Sequence, residues 1–154
     1  MMGAAMVTAS QRLDRTERLA RAVGRLRRSM SARAAVVMQR QGSALVHWQL
    51  VSAIAREGLH SQVALAARVG MDPAGTSRSL DDLERLGLVK RERDADDRRR
   101  VSVTLTAKGR RWYDGARDEV MRELEPLFEP LSSAEARTLE ALLSRLAPVT
   151  RPGR

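Results

Sequence analysis

The chain has 154 residues, a size typical of a single domain, and no cysteine, so disulfides, thiolate metal sites and cysteine nucleophiles are excluded. Its 28 basic and 19 acidic residues give a net charge of +9, which attracts polyanions; nucleic acid is the leading partner and an anionic membrane surface the alternative. The sequence shows no export signal and no apolar run of bilayer length, so we expect a cytoplasmic protein without a membrane partner.

The first predicted element is a helix over about residues 13–41. Apolar residues recur from Leu13 to Val37, mostly three or four positions apart, with arginines between them. A break is expected near residues 29–31, and residues 1–11 are expected to be disordered. The arginine-rich side could contact DNA, although a solvent-exposed side is the favoured interpretation.

A second helix is predicted around an apolar stripe of Trp48, Val51 and Ile54, and Gly58 is its expected end. Trp48 could line a ligand cavity. A position in the core is the favoured interpretation, because buried tryptophans are common where the indole N–H finds a partner.

Two short helices joined by a turn follow. Ser61 is the expected N-cap of the first, and Gly70 lies in the turn. Asp72 and Pro73 are typical of the cap and first position of the second helix, which Gly87 ends. The residues predicted to point inward are Val63, Leu65, Ala66 and Val69 in the first helix, and Thr76, Leu80, Leu83 and Leu86 in the second. This order indicates a helix-turn-helix, although helical hairpins of other kinds share it.

A β-hairpin is predicted next, because Val101, Val103 and Leu105 alternate with polar residues after a first strand that begins at residues 88–89. The segment RDADDRRR (93–100) forms its tip. One interpretation is a surface loop neutralised by its own acids. We favour insertion of an arginine into the narrow minor groove of DNA, with Asp97 holding Arg99 in one orientation.

Two further helices complete the chain. Thr106 is the expected cap of the first, which Pro126 kinks and Pro130 ends. Ser132 and Glu135 form a capping box at the start of the second. Its leucine stripe is more than a small domain can bury alone, so it favours pairing with a second chain; the leucines are Leu139, Leu142, Leu143 and Leu146.

Four segments resemble the MarR (multiple-antibiotic-resistance) family of bacterial transcription regulators: HWQLVSAIAREG (47–58), DPAGTSRSLDDLERLGLVKRERDADDRRR (72–100), VTLTAKGR (103–110) and LSSAEARTLEALLSRL (131–146). The resemblance implies a mainly α fold with a small β-hairpin, formed by one domain over residues 12–147. A winged helix-turn-helix DNA-binding lobe would span about 45–106, dimerisation helices about 13–41 and 107–147, and disordered tails 1–11 and 148–154. It also implies a homodimeric repressor or activator.

The predicted DNA contacts lie on three elements. Arg78 is expected to read a base edge from the outer side of the second helix of the pair, where Ser77 could bond a base or a phosphate. Ser61 and Gln62 would contact phosphates through a helix N-terminus. Arg99, supported by Asp97, would enter the minor groove, with Arg98 and Arg100 on phosphates or the groove wall. Ala74, Gly75, Asp81 and Asp82 are placed on the same outer side, and Ala74-Gly75 and Asp82 depart from the usual family pattern.

The resemblance further implies release from DNA by a small aromatic or anionic effector. Residues that could line its pocket are Met38, His47, Trp48, Trp112 and Tyr113, with core packing as the favoured interpretation of each. No cofactor or metal site is expected, because the two histidines are thirteen residues apart without surrounding carboxylates. Neither a nucleophile–base pair nor a phosphate-binding glycine loop suggests an enzyme. A winged-helix protein that acts mainly through protein–protein interaction is the alternative function.

Overall fold

The computed structural model describes residues 9–93 and 101–146 of the chain. It confirms the predicted fold class, a mainly helical chain with one antiparallel hairpin. The elements are α1 (Ala9–Arg40), α2 (Leu45–Glu57), α3 (Gln62–Val69), α4 (Pro73–Arg85), β1 (Val89–Arg93), β2 (Val101–Leu105), α5 (Ala107–Leu124), a 3-10 turn (Glu125–Leu127) and α6 (Ser133–Leu146).

Helix α1 differs from the prediction in two respects. It begins at Ala9, so residues 9–11 are helical rather than disordered, and it continues through residues 29–31 without a break. Small and polar residues such as Ser10 and Gln11 are compatible with a helix. They are not part of the apolar repeat from which the helix was predicted, so its start was placed too late. The remaining residues of the two predicted tails, 1–8 and 148–154, lie outside the described residues.

The predicted helix caps are confirmed. Left-handed glycines end α2 and α3, with φ of 64° at Gly58 and 70° at Gly70. Each predicted N-cap side chain accepts a backbone N–H three residues later: Ser61 from Ala64 at 3.1 Å, Asp72 from Gly75 at 2.8 Å, and Thr106 from Gly109 at 2.9 Å. The capping box at the start of α6 is also present, with the Ser132 N–H donating to Glu135 at 2.9 Å.

The interior consists of two apolar clusters. The lobe core joins α2, α3, α4 and the hairpin to one side of α5, and its largest fully buried members are Leu50, Leu65, Leu80 and Leu83. The helical core joins the carboxyl-terminal half of α1 to α5 through Ala34, Val37, Met38, Ala116, Val120 and Leu124. Trp48 and Trp112 pack against both clusters, so these two tryptophans lie at the junction of the lobe and the long helices.

Two residues predicted to point inward do not. The side chain of Val63 is 81% exposed, because α3 has only eight residues and a single buried side that Leu65 and Ala66 occupy. Leu86 is 47% exposed, since α4 ends at Arg85 and the chain has already begun to turn there.

The start of α5 lies directly on the chain between α4 and β1. The Thr106 hydroxyl donates to the Gly87 carbonyl at 2.6 Å, and Lys108 Nζ donates to the Leu86 carbonyl at 2.7 Å. Gly109 is buried in this contact, and a Cβ added there would stand 1.9 Å from the Leu88 carbonyl oxygen. The first turn of α5 can therefore approach the base of the hairpin only because residue 109 has no side chain.

The helices at the chain ends leave apolar side chains uncovered. Leu13, Leu19 and Val23 are exposed on α1, as are Leu142, Leu143 and Leu146 on α6, where Leu146 is 67% exposed. Within the residues that the structure describes, no α6 residue is buried. In the same ranges, no helix is long and apolar enough to cross a membrane.

Candidate nucleic-acid interface

The first turn of α4 is set by Asp72. Its carboxylate accepts the Gly75 N–H, and this hydrogen bond lowers the pKa of Asp72. Gly75 is buried, which corrects its predicted place on the outer side of α4. A Cβ at residue 75 would come within 2.9 Å of the Met71 side chain and 3.1 Å of the Asp72 carboxylate. The glycine therefore fits the capped turn, and the outer side of α4 begins with Ala74.

Arg78 is an exposed arginine of α4, nearly two turns after the cap, whereas the other arginine of α4, Arg85, pairs with Asp82. Its guanidinium makes no hydrogen bond or ion pair with any residue in 9–93 or 101–146, although its charge contributes to the lowered pKa of Asp72. The Ser77 side chain beside it is partly buried. Arg78 is thus free to bind a ligand outside the lobe, at the position expected for a base-reading arginine.

Arg91 joins the wing, which is the hairpin of β1 and β2, to α4. Sequence analysis missed this connection. From β1 its guanidinium pairs with Asp81, lies 3.4 Å from Glu84 Oε2 and donates to the Ser77 carbonyl at 3.0 Å. Its backbone N–H donates to Glu84 at 3.1 Å. The Arg91 side chain is only 20% exposed, so these contacts are shielded from solvent more than ordinary surface pairs. Asp81, predicted on the DNA-facing side, is engaged by this arginine.

The second wing strand holds the start of α3. The Val103 N–H donates to the His60 carbonyl at 2.8 Å, and Ser61 forms a β-bridge with Ser102. His60 Nδ1 lies 2.9 Å from the Val103 carbonyl, which can only accept, so this nitrogen carries the hydrogen. Ser61 is exposed and Gln62 partly buried at this helix N-terminus. Because the Ser61 oxygen already accepts the Ala64 N–H, its hydroxyl hydrogen is the group left for a phosphate.

The strands of the wing pair from Val89 with Leu105 to Arg93 with Val101. Four predicted contacts, Asp97, Arg98, Arg99 and Arg100, belong to segment 94–100, which lies outside the described residues. The structure therefore brings Ser61, Gln62, Ser77 and Arg78 to one region of the lobe, beside the strands that carry the other four.

His47 links α2 to the other side of α4. Its ring is buried, with Nδ1 3.1 Å from the Ser43 hydroxyl and Nε2 4.0 Å from Asp82, which also pairs with Arg85. Burial lowers the pKa of His47, and the nearby Asp82 charge offsets part of that effect. Asp82 therefore lies between His47 and Arg85 on this side of α4.

Replacing His47 with glutamine is expected to reduce the dependence of stability on pH. A folded pKa below the ordinary 6.5 means that the unfolded chain takes up the proton more readily. The neutral histidine therefore contributes stability above pH 6.5 that is lost as pH falls below this value. Urea unfolding between about pH 7.5 and 5.5, above the range where carboxylates titrate, measures the effect. An equally steep loss of stability in His47→Gln would contradict the assignment.

The residues suggested for an effector pocket lie close to the junction of the two cores. Met38 is fully buried in the helical core, and Trp48 stacks on Tyr113 with ring centroids 5.5 Å apart. Trp112 is partly buried beside them. Their packing matches the favoured interpretation, core packing, and a ligand there would have to separate stacked rings.

Comparison with known proteins supports this architecture. The MarR family profile matches residues 39–100. The chain is 30% identical over 94 residues to the Bacillus subtilis protein YwhA, an HTH-type transcriptional regulator, covering 61% of this chain and 68% of that one. Crystal structures of E. coli MarR are similar in fold: the apo form has a TM-score of 0.75 at 24% identity, covering 84% of this chain and 96% of the other. A MarR mutant complexed with operator DNA has a TM-score of 0.70 at 23% identity, covering 84% and 94%.

The matched region contains the capped α4, the first wing strand β1 and the Arg91 contacts that join them. Both the sequence match to a regulator and the fold match agree with the resemblance found in the sequence. The chain belongs to the MarR family of winged helix-turn-helix, DNA-binding transcriptional regulators.

Proposed function

We propose that the protein is a sequence-specific regulator that binds a pseudo-palindromic operator as a homodimer and represses transcription in the cytoplasm. The observation that supports this most directly is Arg78, a cation on the outer side of a capped helix that makes no hydrogen bond or ion pair with a described residue. An arginine with a free guanidinium can donate two parallel hydrogen bonds to guanine in the major groove.

The groups around Arg78 fit the same mode of binding. With α4 in the major groove, the N-terminus of α3 would meet the phosphate backbone through its N–H groups and the Ser61 hydroxyl, with Gln62 beside it. Arg99 would enter the adjacent minor groove, held by Asp97, and Arg98 and Arg100 would contact the groove wall or phosphates. The E. coli relative crystallised with operator DNA shares this fold.

The uncovered apolar residues of α1 and α6 support a homodimer. Leu13, Leu19 and Val23 on α1, and Leu142, Leu143 and Leu146 on α6, would be buried against a second copy. A two-fold axis would present two α4 helices to successive major grooves, about 34–36 Å apart. The operator is therefore expected to contain two half-sites one helical turn apart.

Release by a small molecule is part of the same proposal. The stacked Trp48 and Tyr113 lie where the lobe core meets the helical core. An aromatic or anionic compound inserted beside Met38, His47, Trp48, Trp112 and Tyr113 would change the angle between lobe and long helices, and with it the spacing of the two α4 helices.

Arg78→Ala is expected to lower operator affinity at least about tenfold, which corresponds to about 1.4 kcal/mol. Operators are first selected from a random duplex library with the wild-type dimer, and affinity is then measured by fluorescence anisotropy. The mutant should also tolerate base changes at one position in each half-site. Its affinity for unrelated duplexes should fall much less.

Arg111→Ala is the matched control, since it removes one exposed arginine from α5. It should bind the operator as the wild type does. If Arg78→Ala kept wild-type affinity and sequence preference while folded, α4 would not be the reading element. If selection enriched no sequence at all, a protein–protein interaction module would replace the regulator proposal.

A further inference from the structure

The net positive charge of the chain does not lie in the DNA-binding lobe. Residues 45–106 contain ten basic and nine acidic residues, including all of the wing. Residues 107–146 contain seven basic and eight acidic residues. Helix α1 alone carries nine arginines against two acids, Asp14 and Glu17. The long-range attraction for polyanions therefore comes mainly from α1, outside the elements so far assigned to DNA.

The arginines of α1 that precede Arg33 have few partners. Arg33 and Arg40, in the second half, face α5. Arg33 donates to the backbone carbonyl of Glu123, and Arg40 pairs with the carboxylate of the same residue. In the first half Arg21 pairs with Glu17. Six others make no side-chain hydrogen bond or ion pair within residues 9–93 and 101–146; these are Arg12, Arg15, Arg18, Arg25, Arg27 and Arg28. Packing and ion pairing within the described part of the chain do not account for them.

Four of these side chains form a surface that we call the arginine face: Arg18, Arg21, Arg25 and Arg28, all exposed. At about 100° per residue, they lie on the opposite side of α1 from Leu19, Val23 and Met30. The same apolar side continues into Ala34 and Val37, which are buried in the helical core. The arginine face therefore points away from the protein and from any second copy that covers Leu19 and Val23.

We propose that the arginine face is a second, sequence-independent binding surface for duplex DNA. All nine cations of α1 are arginines, whose planar guanidinium donates in parallel to phosphate oxygens. Arg18 and Arg25 are two helical turns apart, about 10 Å along α1, so both can reach phosphates of one backbone. The surface would hold a dimer on non-operator DNA, or hold a second duplex segment while α4 occupies an operator.

Charge and geometry favour DNA over other occupants. A membrane-bound amphipathic helix needs its apolar side free for lipid, whereas the apolar side of α1 runs into the protein core. A second copy would bury the apolar side, not the arginines. The proposal depends on the proposed regulator function for one point only, the choice of duplex DNA as the polyanion. Binding at the arginine face needs no contact from α4 or the wing.

The test uses the full chain with Arg18→Gln and Arg25→Gln together. Its control is Arg111→Gln with Arg117→Gln, which removes the same charge from exposed positions of α5. Binding to a random-sequence duplex of about 30 base pairs is measured at several salt concentrations. The slope of log affinity against log salt is negative. Loss of two phosphate contacts should make it less steep by about 1.8 for each α1 helix that contacts the duplex. Affinity at low salt should fall at least about tenfold, while the control pair stays near wild type.

Two further measurements separate this proposal from the regulator function. The α1 variant should keep the sequence preference of the wild type, whereas Arg78→Ala should lose preference but keep the salt slope on random duplex. Wild-type dimer saturated with operator should also capture a labelled non-operator duplex, and the α1 variant should not. An unchanged slope in the α1 variant would overturn the proposal, as would tighter binding of the wild type to anionic phosphatidylserine vesicles than to duplex DNA.

Discussion

Gly109→Ala is expected to destabilise the fold by at least about 3 kcal/mol, a large part of the stability of a small domain. The new Cβ would stand 1.9 Å from the Leu88 carbonyl oxygen and 2.8 Å from its carbon. Both are backbone atoms at the base of the wing and cannot rotate away as a side chain can. Either α5 or the chain before β1 must shift, and the hydrogen bonds of Thr106 to that chain would be strained or lost.

Urea unfolding followed by circular dichroism measures this effect. Gly115→Ala is the matched control, because Gly115 lies in the same helix and a Cβ added there would extend into open space. Alanine there should stabilise the protein by about 0.5–1 kcal/mol through its helix propensity. Similar midpoints for the two variants would show that the close approach at Gly109 does not exist in solution.

Arg91→Ala is expected to weaken operator binding by about one to two orders of magnitude. The expected cause is loss of a side chain that positions the wing and does not itself contact DNA. It removes the guanidinium that joins β1 to Asp81, Glu84 and the Ser77 carbonyl. The wing would then no longer be fixed relative to α4. The carboxylates of Asp81 and Glu84 would also lose the neutralising guanidinium near the DNA phosphates, where their charge opposes binding.

Lys90→Ala is the control for Arg91, since it removes a neighbouring exposed cation of the same strand. It should change operator affinity little. Arg91→Lys should recover only part of the lost affinity, because an ammonium cannot reproduce the planar fork of hydrogen bonds. A positioning role also predicts that Asp81→Asn in the Arg91→Ala protein restores some binding by removing one repelling charge. Equal losses of operator affinity in Arg91→Ala and Lys90→Ala would show that Arg91 contributes only through its charge.

The features that the sequence predicted well are those with local causes. Caps at Ser61, Asp72 and Thr106 bond to residues only three positions away, so their patterns are visible in a short window. The wing strands alternate over five residues. The fold class also followed from these local patterns together with the family resemblance.

The features that were missed depend on contacts between distant segments. The local sequence KRE (90–92) does not indicate that the Arg91 side chain contacts α4, because the residues it binds lie seven to fourteen positions earlier in the chain. Helix periodicity placed Gly75 outside, whereas the Met71 side chain covers it. His47 was considered for an effector pocket, but its approach to Asp82 joins segments thirty-five residues apart. For His47, a histidine flanked by the apolar Val46 and Trp48 is the signal that could have marked the position.

The frame that holds the wing and the two short helices is built largely from main-chain atoms. It uses the carbonyls of Ser77, His60 and Val103, together with the Arg91, Asp81 and Glu84 side chains. Neither the hydroxyl of Ser77 nor the guanidinium of Arg78 takes part in it. Both positions can therefore be exchanged without disturbing the scaffold, which makes them the natural pair to randomise when re-targeting the protein to a new promoter.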